Sequence, residues 1–274
     1  MTDRNGMQKL LEIMTKLRDR EHGCPWDLEQ TLSSLTRYTL EEVYEVVDAV
    51  EDGDPESLRD ELGDLLFQVV FYAKIAEEDG LFDFQDIVDA ISDKLLRRHP
   101  HVFPAARLEN FGQSQELNAD QVVSNWEAIK TEERAGKVDE GIRASALADI
   151  PNALPALERA LKLQKRAARV GFDWQELAPV LAKVREELEE MEEALNQRDQ
   201  EQMNHELGDL LFAIVNLARH TRVEPENALR ECNRRFARRF NYIEEQLQKD
   251  GVSVEDAGLE KLDLLWDAAK QKGL

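Results

Sequence analysis

Glu61-Leu62-Gly63-Asp64-Leu65-Leu66-Phe67 and Glu206-Leu207-Gly208-Asp209-Leu210-Leu211-Phe212 are the same seven residues occurring twice in one chain. A glutamate cluster precedes each copy: Glu41-Glu42-x-x-Glu45 in the first case, Glu186-Glu187-x-x-Glu190 in the second. Corresponding positions all differ by 145, so the two blocks align without a gap. The spacing has a helical meaning. Residues three or four apart share a helix face, which pairs Glu42 with Glu45 and Glu61 with Asp64. Between the pairs, Glu51-Asp52-Gly53-Asp54-Pro55 reads as a helix end, a turn and a new start, with Asp54 as N-cap and Pro55 as the first helical residue. An antiparallel hairpin about Gly53 brings Glu45 and Glu61 to one level, each eight residues from the turn, and Glu42 and Asp64 to the next, each eleven away. The second copy folds the same way about Arg198, matching Glu190 with Glu206 and Glu187 with Asp209. With a rise of about 1.5 Å per residue, the levels lie roughly 4.5 Å apart. Four carboxylates at two levels form an oxygen-lined cage for a hard divalent cation.

A single glutamate-rich helix is ordinarily a solvated face, and Thr39-x-x-Glu42 also fits a capping box. Matched copies outweigh that reading. Leu62, Leu65, Leu66, Val69 and Val70 set Glu61 and Asp64 in what reads as a mostly buried helix, where charges require partners. All-oxygen donors suit Mg2+ or Mn2+ rather than zinc. A di-iron bundle needs a Glu-x-x-His on two helices, whereas the fourth position here is Asp64 or Asp209, with His205 one residue off the ligand face. The acidic loop Glu51–Glu56 lacks the ligand series of an EF-hand.

The chain has 274 residues, enough for two domains, and a formal net charge of -22. That charge argues against non-specific nucleic-acid binding and against attraction to an anionic membrane. An anionic small substrate remains compatible, because a bound metal and local Lys or Arg reverse the local sign. Cys24 and Cys232 have no paired spacing and read as free thiols of a reducing cytoplasm. No apolar run approaches a membrane span, and the N-terminus carries no signal-peptide pattern.

The rest of the chain repeats as well. Met7 to Arg20 is helical by period, and Gly23-Cys24-Pro25-Trp26-Asp27 breaks it, opening a loop expected to run to about Tyr38. The hairpin's second helix extends to Glu78, and Asp83 can cap the next one. His99-Pro100-His101 reads as a turn rather than a ligand pair, since no third imidazole or thiolate lies in reach. Residues 104–118 read as loop and 119–135 as a helix. Residues 1–135 then form one module, 136–152 a polar linker and 153–274 a second module. Within it, Gly171-Phe172-Asp173-Trp174 echoes Gly23-x-x-Trp26 at an offset of 148. Arg234 to Arg239 parallels Asp93 to Arg98 at 141, and Trp266-x-x-x-Lys270 answers Trp126-x-x-x-Lys130 at 140. The expected fold is all-α: a tandem duplication of one helical module built around a helical hairpin.

Each module also carries groups suited to a nucleotide. Arg235 and Arg239 share one helix face, as do Lys94 and Arg98. Cations at that spacing repel mildly, so an anion between them is a reasonable expectation, the alternative being a solvated basic face. Trp266 reads either as core or as a stacking platform for any base. Lys183, one turn before Glu187, can reach a phosphate.

The duplicated EExxE…ExxD signature, with GCPWD near the start and WxxxK near the end, resembles the MazG family of nucleoside triphosphate pyrophosphohydrolases, in the all-α NTP pyrophosphatase superfamily. The likeness spans essentially the whole chain. It implies Mg2+-dependent hydrolysis of nucleoside triphosphates to monophosphate and pyrophosphate, with broad base tolerance, in a cytoplasmic homodimer whose C-terminal module is catalytic. Carried onto this sequence, Glu187, Glu190, Glu206 and Asp209 match the metal ligands. Lys183, Glu186, Asp209, Arg235, Arg239, Trp266 and Lys270 match nucleotide-contacting positions, and Glu186 becomes a candidate base. Arg235 stands where lysine also occurs in the family, keeping the charge but changing donor geometry. No contacts are expected of Gln202 to His205. The N-terminal module keeps Glu42, Glu45, Glu61, Asp64, Lys94, Arg98, Trp126 and Lys130, so only the resemblance ranks it second.

Two other classes fit less well. An all-α prenyl diphosphate synthase also holds Mg2+ and diphosphate on paired acidic motifs, but those resemble DDxxD, which is absent here. A non-catalytic acidic helical adaptor would show no cation-dependent stabilisation.

Overall fold

The computed structural model of the chain describes residues 6–113, 117–135 and 145–274, with some side chains between 123 and 135 excepted. Among them every regular element is helical. The chain divides into two compact units, Met1–Lys137 and Val138–Leu274. The first contains α1 (Gly6–Leu17), α2 (Pro25–Glu29), α3 (Thr36–Asp52), α4 (Pro55–Glu78), α5 (Phe84–Arg98) and α6 (Ala119–Ala135). The second contains α7 (Ala156–Arg169), α8 (Leu177–Gln197), α9 (Gln200–His220), α10 (Pro225–Asp250) and α11 (Gly258–Gln271). No described helix is long and apolar enough to cross a membrane.

The two hairpins are set by their turns. Gly53 closes α3 in the left-handed region at φ +69°, and the Asp54 side chain then accepts from the Glu56 backbone N–H at 3.0 Å, capping α4. Arg198 takes the same conformation at φ +56°, followed by Asp199, which accepts from the N–H groups of Glu201 and Gln202 at 3.0 and 3.1 Å. An L-residue with a Cβ is strained there by roughly 1 kcal/mol relative to glycine. The second hairpin accepts that strain to keep the geometry of the first. α3 consequently packs along α4, and α8 along α9.

Around these hairpins the units pack differently. In the N-terminal unit α1 lies on the latter half of α4, and Met14, Leu35, Val70, Phe71 and Ile75 form the core. Complete burial of side chains this large is worth about 1.5–3 kcal/mol each. In the C-terminal unit α7 packs on α9 and α10, and α11 on α10, burying Leu161, Val180, Val215, Ile243 and Leu247.

Three expectations need correction. The segment expected to loop from Gly23 to Tyr38 contains α2, which Pro25 starts at its first position, and α3 begins at Thr36. Residues 104–118 include two short 3-10 turns, Pro104–Ala106 and Leu108–Asn110. The first half of α4 is not mostly buried: Leu62 and Leu66 are 48% and 37% exposed, and burial begins at Gln68. The physical reason is that α1 covers only the later turns of α4. The His99-Pro100-His101 segment is a turn, as the sequence suggests. Residues 136–144 of the expected linker lie outside the described residues; Leu147, from the same stretch, lines a cavity of the second unit.

Candidate active site

Both hairpins gather the same three acids. Glu187, Glu190 and Glu206 each offer one oxygen, all within 4.8 Å of one another, and so do Glu42, Glu45 and Glu61. These are corresponding positions, so two levels of each antiparallel hairpin meet as the residue spacing requires. The fourth acid behaves differently. Asp209 turns towards His205, whose Nδ1 lies 3.1 Å from Asp209 Oδ2 and 3.8 Å from a Glu206 oxygen. His205, Glu206 and Asp209 thus make a further candidate ligand set. The sequence reading missed it by treating His205 as off the face, although His205 and Asp209 are four apart and therefore neighbours on α9. Gln202, also given no role, donates from Nε2 to Glu206 Oε1 at 2.8 Å.

The two acid clusters differ in burial. Glu187 and Glu206 are 5% and 6% exposed and Asp209 half-buried, whereas their counterparts Glu42 and Glu61 are half-buried and Asp64 exposed; Glu190 and Glu45 are exposed in both. Burial pushes the Glu190 carboxyl above its ordinary range, with Glu187 and Glu206 adding repulsion. In the N-terminal unit burial likewise raises Glu42, reinforced by Asp64, Glu45 and Glu61, and raises Glu61, reinforced by Glu45 and Asp64. Carboxylates held in mutual repulsion with a low supply of hydrogen-bond donors favour a cation among them. The donors are all oxygen, apart from the His205 imidazole beside them, which suits a hard divalent ion.

Lys183 extends this cluster. Its Nζ lies 2.7 Å from both Glu186 Oε1 and Glu187 Oε1, and hydrogen bonds to those two acids, Glu186 first, raise its basicity. Lys183, Glu187 and Asp209 then line a cavity of about 740 Å3 shared with Phe172, Trp174 and Phe212. In its wall, Arg219 grips Asp173 in a two-pronged ion pair, its Nη1 2.9 Å from Asp173 Oδ2, with His220 Nε2 3.2 Å from Asp173 Oδ1. The Arg219 hydrogen bonds hold the Asp173 carboxyl below its usual range. The motif acids Glu187 and Asp209 lie at its edge, but no motif pointed to its aromatic part; Trp174 and Asp173 stood out only as an echo of the first module.

Arg235, Arg239, Trp266 and Lys270 do not line that cavity. They form a group on α10 and α11. Arg239 lies over the Trp266 ring at 5.3 Å and donates from Nε to the Leu274 carbonyl at 2.7 Å. Trp266 also packs against Phe236 at 5.2 Å, and Lys270 pairs with Asp267 at 3.0 Å. Arg235 stays exposed, 3.8 Å from Glu231. In the N-terminal unit the anion expected between the cations is internal: Arg98 holds Glu133 with Nη2 at 2.6 Å, and Arg97 is 3.7 Å from it. Lys94 adds attraction to the same carboxyl, while Trp126 packs edge-on against His99 at 5.1 Å. The Lys130 side chain lies outside the described residues.

Comparison with known proteins places this geometry in a family. Residues 30–103 match the MazG nucleotide pyrophosphohydrolase domain, and residues 154–236 match phosphoribosyl-ATP pyrophosphohydrolase. The matched ranges include the first and second acid clusters respectively, so two diverged copies of one module stand in tandem. The chain is 51% identical to the nucleoside triphosphate pyrophosphohydrolase of Escherichia coli K12, over 98% of each chain. It is 42% identical to the nucleoside triphosphate pyrophosphohydrolase/pyrophosphatase MazG of Thermotoga maritima, over 96% of this chain and 95% of that one. An uncharacterised Bacillus subtilis protein, YabN, matches at 42% over 94% of this chain and 50% of its own length. With a relative that similar along nearly the full length of both chains, this chain belongs to the MazG family of nucleoside triphosphate pyrophosphohydrolases.

Proposed function

We propose that the chain hydrolyses nucleoside triphosphates to nucleoside monophosphate and pyrophosphate, in the C-terminal unit, as a nucleotide-pool house-cleaning enzyme. The observation that carries this is the adjacency of a three-glutamate cluster with two buried members, Glu187 and Glu206, a lysine and a nucleoside-sized cavity in one unit. Glu187, Glu190 and Glu206, with Asp209 beside them, would hold Mg2+, for which Mn2+ is a substitute; all-carboxylate donors at this spacing fit either ion. When bound, the cation supplies charge neutralisation for the triphosphate oxygens.

The side chains themselves supply the remaining steps. A water oxygen attacks the α-phosphorus, the bond from that phosphorus to the bridging oxygen breaks, and pyrophosphate leaves with the bond pair. Glu186, exposed and next to Glu187, takes the water proton. Lys183, tethered to both acids, positions Glu186 and offers its remaining N–H groups to phosphate oxygens as charge shifts to the leaving group. Arg235, Arg239 and Lys270 are further phosphate contacts in this reading, and Trp266 a stacking contact. The N-terminal unit ranks second because its acids are more exposed and none of the four lines the cavity of about 290 Å3 in that unit.

A homodimer in the cytoplasm completes the proposal. Val43, Val50, Leu62 and Leu66 are exposed, and so are their counterparts Leu188, Leu195, Leu207 and Leu211, giving both hairpins the same apolar strip. Such strips are characteristic of helical faces buried against another copy. Cys24 and Cys232 are free thiols, in keeping with a reducing compartment. Product identification from several nucleoside triphosphates tests the central claim: monophosphate and pyrophosphate in equal amounts support it, and orthophosphate as first product refutes the cleavage site.

A further inference from the structure

The N-terminal unit places a carboxylate of its own among its clustered cations. Arg98, on α5, donates from Nε and Nη2 to Glu133 Oε2 at 3.2 and 2.6 Å, and the two side chains are 25% and 27% exposed. Arg97 Nη2 lies 3.7 Å from the other oxygen, Oε1. Hydrogen bonding from Arg98, with added attraction from Arg97 and Lys94, holds the Glu133 carboxyl below its ordinary range. Three positive side chains thus face one negative one. An ion pair that served only to fasten α6 to α5 would need a single cation. The guanidinium fork fits phosphate as well as it fits carboxylate, and a group carrying several negative charges would balance the surplus better.

The second copy of the module has the same arrangement without the acid. Lys94 and Arg98 correspond to Arg235 and Arg239, and Trp126 to Trp266. Trp126 and Glu133 are seven residues apart on α6, two turns, and therefore share one face. At the offset of 140 that relates the two tryptophans, the C-terminal unit has Gly273 in place of Glu133, with no side chain to offer. Arg239 is accordingly engaged by the Leu274 carbonyl at 2.7 Å and by the Trp266 ring at 5.3 Å. One unit carries a carboxylate at the end of this helix face, and the other leaves the position bare.

We propose that Lys94, Arg97 and Arg98 form an oligophosphate site in the N-terminal unit and that Glu133 keeps it closed, its carboxylate oxygens standing where phosphate oxygens would bind. The proposal rests on the pyrophosphohydrolase reading for the class of anion. It goes beyond that reading by giving the N-terminal unit a phosphate site of its own and a built-in competitor for it. A free anion has to displace a carboxylate tethered to the same unit, whose effective concentration is of the order of millimolar or above. Weakly charged anions lose that competition. Glutamine at position 133 keeps the shape of the side chain, removes its charge and so opens the site.

The test is calorimetric titration of pyrophosphate and of AMP into the full chain, with EDTA present so that the acid clusters recruit neither through a cation. The unaltered protein is compared with Glu133→Gln, Arg98→Ala and Glu133→Gln/Arg98→Ala. Glu133→Gln should bind pyrophosphate at least about tenfold more tightly than the unaltered protein, a gain of the size one charge-assisted hydrogen bond supports. The gain should disappear in Glu133→Gln/Arg98→Ala and shrink as NaCl is raised. AMP, with a single phosphate, should gain less than threefold. Unchanged pyrophosphate affinity in folded Glu133→Gln would overturn the proposal and leave the ion pair as packing alone. A gain that survives Arg98→Ala would overturn it too, and an equal gain for AMP would overturn the assignment to an oligophosphate. Thermal unfolding screens each variant for folding. If Glu133→Gln does not fold, Glu133→Asp, which draws the carboxylate back by one methylene, replaces it with an expected gain of about threefold, and no gain overturns the proposal. The readout is binding without turnover, so failure to release monophosphate from any triphosphate would refute the reaction and leave this result standing.

Discussion

Divalent cations should stabilise the C-terminal unit through its acid cluster, and the size of the effect follows from the geometry. Glu187 and Glu206 are almost fully buried, and the candidate ligand atoms lie within 4.8 Å of each other. At that distance and an effective dielectric constant of about 20, two unit charges repel by roughly 3.5 kcal/mol. Lys183 offsets part of this at Glu187. Glu206 has the neutral Gln202 amide at 2.8 Å and His205 at 3.8 Å. A cation between the acids converts repulsion into attraction. Mg2+ at a hundredfold excess over its dissociation constant adds about 2.7 kcal/mol to the native state. For a unit of this size, each kcal/mol raises Tm by about 3–5 °C, so a shift of about 10 °C is expected. Scanning calorimetry with MgCl2, against NaCl of equal ionic strength, measures it. The doubly neutral Glu187→Gln/Glu206→Gln protein should lose most of the shift while melting no earlier than the unaltered protein without Mg2+. The same Mg2+ shift in both proteins would refute the reasoning, and so would its absence from the unaltered one at high Mg2+.

Three further outcomes are expected. Glu187→Ala should lower pyrophosphate release at least a hundredfold whereas Glu42→Ala leaves it within about threefold, the first acid being central to charge stabilisation and the second belonging to the more exposed cluster; equal losses would reverse the ranking of the two units. Asp173→Asn should destabilise by about 2 kcal/mol, because Arg219 is left partly buried beside a neutral partner. Asp173 has its folded pKa lowered, so its stabilisation is complete above about pH 4 and disappears as pH falls through the folded value; the Tm gap between variant and unaltered protein should close at low pH. Arg198→Gly should raise stability by about 0.5–1 kcal/mol in chemical denaturation, since glycine takes the left-handed position without strain.

The hairpins, their caps and the levels of the acids were legible in the sequence because they are local. Gly53 and Arg198 end one helix, Asp54 and Asp199 begin the next, and a fixed rise per residue then places Glu45 opposite Glu61 and Glu190 opposite Glu206. The repeat also disclosed that two copies of one module lie in the chain. Packing between segments distant in sequence decided the rest. Only the fold buries Glu187 and Glu206 while leaving their counterparts Glu42 and Glu61 half-buried, since burial depends on which neighbouring helices cover each turn. Only the fold brings Gln164 of α7 to the Phe212 carbonyl of α9, 48 residues away, and so joins residues of separate motifs around one cavity. Asp209 turning to His205, and Trp266 packing on Phe236, are likewise choices among side-chain partners that periodicity brings near without selecting. A helical period fixes which residues share a face; what that face meets is settled by the other helices.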